Sequence, residues 1–129
     1  MQFDQSFPKT EHLKLKRHFD MLFSSGKKEF KYPILLFWKE IETTENMRLK
    51  VGFSVPKKHV KKAVARNRIK RVLREAYRTQ SGDLKRTAFE ANKQLALLFV
   101  VTGGDNISFD EVSPKIMLLL RKVEGQIQK

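Results

Sequence analysis

The sequence predicts a single α+β domain, a two-layer sandwich, in the order helix, strand, strand, helix, short helix, strand, helix. Three observations carry that prediction. Apolar residues recur at helical spacing around residues 15–23 and 65–76. Three other stretches are aromatic, β-branched or continuously apolar over strand-like lengths. No linker, internal repeat or low-complexity tract divides the chain, so residues 1–129 form one domain whose first 12 residues are expected to be loosely ordered. At 129 residues and 40% apolar content there is enough material for one modest core.

The first helix rests on Leu15, Phe19, Leu22 and Phe23, at i, i+4, i+7 and i+8, with Gly26 at a C′ position. "EFKYPILLFWKEI" (29–41) reads as the first strand. The polar "ETTENM" (42–47) suits a hairpin loop leading to a second strand at 48–55, closed by Pro56. A basic helix follows. On a 100° wheel, Ala65, Ile69, Val72, Leu73 and Ala76 fall within about 80° of arc. Asn67, Lys70, Arg71, Arg74 and Arg78 lie opposite, and Arg66 and Arg68 flank the stripe. A break at Ser81-Gly82 precedes a short helix over Leu84 and Ala88. "LALLFVVT" (95–102) has the continuous apolar character of a strand covered on both faces. The last helix starts either at Ser113-Pro114, as N-cap and N1, or earlier at "SFDE" with a kink at Pro114.

Charge is the strongest functional signal. The net charge is +13, and residues 57–78 alone carry ten Lys or Arg against Glu75. Solvated helix faces usually interleave Glu with Lys, and here the repulsion goes uncompensated. A localised cationic ridge on a folded domain is the footprint of a polyphosphate binder.

Several classes are excluded. The absence of Cys removes disulfides, zinc fingers and thiol catalysis. No run approaches the roughly 18 apolar residues of a membrane span, and the N-terminus lacks the apolar stretch of a secretory signal, so a cytoplasmic location is expected. His12, His18 and His59 are scattered, with no carboxylate or Ser at a spacing that suggests a triad or ligand set. Asp105, Asp110 and Glu111 flank a Gly-rich turn, where a solvated helix start is a simpler reading than Mg²⁺ binding. "GG" at 103–104 lacks the Lys of a phosphate loop. No catalytic or metal-binding residue is therefore assigned on the chain itself. The aromatics stay open. Phe19 and Phe23 fit either a core or a platform for unpaired bases, and of Phe37 and Trp38, which point to opposite sheet faces, either one could face such a cleft.

"GFSVPKKHVKKAVARNRIKRVLREAYR" (52–78) resembles the signature of the protein subunits of bacterial ribonuclease P. Arg66, Asn67 and Arg68 match the family's Arg-Asn-Arg, and Ile69, Lys70, Arg71, Leu73 and Arg74 continue the motif. "HFDMLFSSGKK" is similar to its first helix and "LALLFVV" to its late strand, so the resemblance spans roughly residues 13–124. Pro56 stands where the family would have a small polar residue, and Phe37 and Trp38 stand where a Tyr is usual.

The resemblance implies a ribonucleoprotein that removes the 5′ leader of precursor tRNA endonucleolytically, with the catalytic site and its Mg²⁺ in the RNA subunit and the protein alone inactive. It implies that Arg66, Asn67, Arg68, Lys70, Arg71 and Arg74 bind the catalytic RNA. Phe19, Phe23, Phe37, Ser54, Lys57 and Lys58 would bind the leader. It further implies a left-handed strand–helix–strand crossover, against the usual right-handed rule. The partners expected are the catalytic RNA and precursor tRNA, with no membrane and no obligate protein partner. A ribosomal RNA binder would share the charge and fold class, and a sequence-specific DNA binder would lay the basic helix in a major groove.

Overall fold

The structure, a computed structural model, describes residues 12–13, 16–42, 47–103 and 107–128. Its elements in chain order are α1 (Lys16–Ser25), β1 (Lys27–Lys31), β2 (Ile34–Ile41), β3 (Leu49–Ser54), α2 (Ala63–Arg78), α3 (Gly82–Glu90), β4 (Gln94–Val101) and α4 (Phe109–Ile127). The α+β class holds. Residues 1–11 of the N-terminal segment lie outside the described residues, whereas His12 bridges to Val51.

Two strand expectations change. The stretch 29–41, expected as one strand, is a hairpin: β1 and β2 pair antiparallel from Lys31↔Ile34 out to Lys27↔Trp38, around a cis Tyr32-Pro33 bond. Pro33 has no N–H to give a ladder and fixes its own φ, so the chain turns there instead of extending. Nor do the strands flanking 42–47 pair with each other. The sheet order is β1-β2-β4-β3, with β4 antiparallel to β2 and parallel to β3. Residues 43–46 of the expected hairpin loop lie outside the described residues. The continuously apolar β4 takes the inner position because both of its faces can be covered there; Leu95 to Phe99 are buried without interruption. β3 and β4 are joined by a crossover through α2 and α3.

The alternation of side chains divides the core in two. On one face Ile34, Leu36, Trp38, Leu49, Val51, Leu95, Leu97, Phe99 and Val101 pack with the inward residues of α2, α3 and α4. On the other, Phe37, Ala96 and Leu98 pack with Leu22 of α1 and Leu13, and Phe19, Leu35, Ile41 and Val100 are only partly buried. A Cβ on Gly52 would come within 3.2–3.3 Å of Leu98 and Leu13, so this glycine lets the His12–Leu13 segment lie close on the sheet. Gly26 is similarly constrained: a Cβ there would stand 2.6 Å from the Leu22 carbonyl oxygen, at the end of α1.

α4 takes the earlier of its two possible starts. Ser108 is the N-cap, its Oγ accepting from the Glu111 N–H at 3.2 Å, and Pro114 lies inside the helix. Pro114 is exposed, as is Asp110 one turn earlier, so water can satisfy the carbonyl that lacks a helical partner. Farther along, Glu124 is partly buried, and burial first, then the nearby Asp83, pushes its carboxyl above the ordinary 4.5, against the opposing Arg121 and Arg86. The folded state thus holds this proton more tightly than the unfolded chain. Its contribution to stability is greatest below pH 4.5 and is lost as pH rises through the raised value. Glu124→Gln is expected to raise the melting temperature at pH 7 and to lose that advantage at pH 4. A lower melting temperature at pH 7 would show that the arginines outweigh burial.

Candidate nucleic-acid interface

Ala63–Arg78 is built from strong helix formers and carries no β-branched run to oppose them. Ile69, Leu73 and Ala76 are buried, and Ala65 and Val72 pack half-buried beside them, as the wheel predicts. Tyr77, which the sequence reading left out, is also buried, its ring 6.1 Å from Phe53 and 6.2 Å from Phe99. With that stripe docked, the opposite side faces solvent. Asn67, Arg71 and Arg74 are exposed and Lys70 is half-exposed. Among the described residues, Lys70, Arg71 and Arg74 have no acidic partner. Arg78 differs, because its Nε donates to Glu75 at 3.0 Å and holds that carboxyl below its ordinary range.

The first turn of α2 carries no acid, and Lys61 and Lys62 stand exposed at its N-terminus. Cations are unfavourable at the positive end of a helix dipole unless an anion joins them. The geometry therefore accumulates positive potential at one end of the ridge, where helix N–H groups also point outward.

Arg66 and Arg68 do more than flank the stripe. Arg66 Nη1 donates to the carbonyls of Val60 at 3.1 Å and Lys61 at 2.7 Å, tying the approach segment to the helix. Arg68 Nη1 donates to the Ile107 carbonyl at 2.9 Å and so holds the segment leading into α4. A guanidinium has five donors in a fixed fork, so one edge can fasten backbone while another meets a phosphate.

The second predicted set lies across the sheet. Phe19, Phe37 and Ser54 share the face that α1 covers, and Trp38 belongs to the opposite face. Phe23 is 53% exposed despite lying on the apolar side of α1, where Leu22 alone is buried. Its ring meets Phe37 edge-on, centroids 5.1 Å apart. Lys57 and Lys58 are exposed in the turn just beyond β3. Three lysines escaped the sequence reading. Lys28 Nζ lies 5.6 Å over the Phe37 ring, Lys39 Nζ donates to Ser25 Oγ at 2.7 Å, and Lys50 is buried on β3. Strand alternation puts Lys39 on the Phe37 face and Lys50 on the Ser54 face, whereas Lys28 joins them only through the β1–β2 hairpin. Of the acidic cluster, Asp105 lies outside the described residues, and Asp110 and Glu111 sit in the first turn of α4, where its dipole favours acids.

A cationic ridge on a rigid helix and, behind the sheet, an aromatic face bordered by lysines together suit folded RNA on one side and unpaired bases on the other. Comparison with known proteins gives the chain a family and a fold. The family model described as Ribonuclease P matches residues 7–124. The ribonuclease P protein component of Thermotoga maritima is 31% identical, over 94% of this chain and 98% of its own. That of Porphyromonas gingivalis is 28% identical, over 92% and 87% respectively. In fold, the chain is similar to the solved ribonuclease P protein of Thermotoga maritima, with a TM-score of 0.69 at 23% identity over 87% of this chain and 96% of that one. The Staphylococcus aureus protein gives 0.66 at 19%, over 89% and 98%.

Proposed function

The chain belongs to the ribonuclease P family as a protein component of that enzyme, and from this premise we propose how its two surfaces serve the ribonucleoprotein. The α2 ridge of Arg66, Asn67, Arg68, Lys70, Arg71 and Arg74 binds the catalytic RNA. The face carrying Phe19, Phe23, Phe37 and Ser54, with Lys57 and Lys58 at its border, binds the 5′ leader of precursor tRNA. Cleavage takes place in the cytoplasm, in the RNA subunit, which holds the Mg²⁺ ions; hydrolysis of a phosphodiester commonly uses two such ions to activate water and stabilise the leaving oxygen. No obligate protein partner is required.

What supports this reading most directly is that the sheet keeps the two surfaces apart: the stripe of α2 is buried on one face, while Phe37 lies on the other. One protein can therefore hold a folded RNA and a single strand at the same time. The protein offsets phosphate repulsion between two polyanions, so it matters most at low Mg²⁺, and excess divalent metal partly replaces it.

The test is reconstitution with a bacterial ribonuclease P RNA at low Mg²⁺, followed by binding of precursor and mature tRNA. Phe19→Ala and Lys57→Ala are expected to weaken precursor binding more than mature, since only the precursor offers unpaired bases; each lost stack costs about 1–3 kcal/mol. An unchanged precursor-to-mature ratio, with only thermal stability lost, would return Phe19 to the core. Cleavage by the protein freed of all RNA would overturn the assignment of catalysis.

A further inference from the structure

The face that α1 covers is not covered evenly. In one cross-strand row, Gly52, Leu98 and Phe37 are all buried. The next row, Ser54, Val100, Leu35 and Phe30, is half-exposed in its first three residues and 51% exposed at Phe30. This row crosses all four strands, about 14 Å at the usual interstrand spacing. It begins beside the turn bearing Lys57 and Lys58 and ends at Phe30, whose ring meets Tyr32 edge-on with centroids 6.4 Å apart.

Tyr32 is itself 58% exposed, and its position is fixed from outside the hairpin: a Cβ on Gly103 would stand 2.9 Å from the Tyr32 hydroxyl. Scattered exposed apolar residues are ordinary. Two exposed aromatic rings packed on each other, on the same face as the exposed Phe23 and diagonal across the β1–β2 ladder from the buried Phe37, form a patch. The charge that the strands place on this face has one sign. Glu29 turns to the other face, where Gln126 and Lys122 contact it, and no strand residue on the row's own face is acidic. Lys28, over Phe37, is the charged residue beside the pair.

We propose that Phe30 and Tyr32 form a second base-stacking station, at which the open row delivers nucleotides of the leader upstream of those held at Phe37. The proposal rests on the leader reading above and extends it across the sheet to β1. Rings supply sequence-tolerant stacking and the lysines meet the backbone, which fits a single-stranded RNA.

The experiment is a ladder of precursor tRNAs whose leaders lengthen one nucleotide at a time, bound to the reconstituted holoenzyme. Wild-type affinity is expected to rise in stages, the later rise totalling roughly 5- to 150-fold per stacked base. Phe30→Ala should keep the early rise and lose the later one. Tyr32→Leu retains an apolar side chain at the turn but no ring, and should lose it too, so the test does not depend on one variant folding. A later rise that survives in both variants, or a wild-type ladder that is flat beyond the short leaders, overturns the second station while leaving the leader site intact. A wild type that binds precursor and mature tRNA alike would instead remove the leader reading, and this station with it.

Discussion

Trp38→Ala is expected to lower the unfolding free energy by about 3–5 kcal/mol, the usual cost of removing a large buried aromatic. The ring is 1% exposed and packs in the core between the sheet and the helices, with Lys27 Nζ 4.9 Å over it. A domain this size has only about 5–15 kcal/mol to lose, so the variant should be marginal at growth temperature. Trp38→Phe separates packing from polarity. The indole Nε1 is buried and has no hydrogen-bond partner among the described residues, so the Phe variant gives up ring area but none of those bonds. Urea unfolding followed by circular dichroism should show Phe costing clearly less than Ala. Equal costs would mean that Nε1 is satisfied by a buried water whose loss matters.

How much of this was legible in the sequence depended on the range of the interactions. The stripe and ridge of α2 were readable because a helix expresses its period locally: Ile69, Leu73 and Ala76 are buried where the wheel put them. The inner position of β4 was foreshadowed by its apolar run, but its insertion between β2 and β3 was not, because strand order is set by long-range pairing. The β1–β2 hairpin hid behind its own composition, since aromatic residues on both sides of Pro33 read as a single strand. That miss concealed Lys28, Phe30 and Tyr32 together. Phe23 was legible as part of an apolar face but not as exposed, because α1 seats only Leu22 fully on the sheet. The anchoring of Arg68 was invisible for the same reason as strand order, its accepting carbonyl being 39 residues away. That of Arg66 is local, to carbonyls five and six residues back, but depends on how the non-helical segment before α2 folds against it.

Those anchors decide what each arginine of the ridge should do when removed, and the ridge carries the largest effect expected on function. Arg71 and Arg74 are exposed and touch no acid among the described residues, so Arg71→Ala with Arg74→Ala should leave the melting temperature unchanged. If each meets one phosphate of the catalytic RNA, the slope of log affinity against log salt should flatten by roughly 0.7–0.9 per residue. Carried down from 1 M salt, where the electrostatic contribution vanishes, two lost contacts amount to a loss of about 20-fold at 0.15 M. Arg68→Ala should behave differently. It strips the charged partner from the Ile107 carbonyl, a hydrogen bond of the kind worth about 1.5–3 kcal/mol, so stability should fall along with affinity. Arg66→Ala should do likewise through Val60 and Lys61, and by loosening the segment behind Lys57 and Lys58 it should also weaken precursor binding. Filter binding across a salt titration, paired with thermal melts of the free protein, distinguishes the two classes. Wild-type binding by the Arg71/Arg74 double variant at every salt concentration would take the outer face of α2 out of the RNA interface.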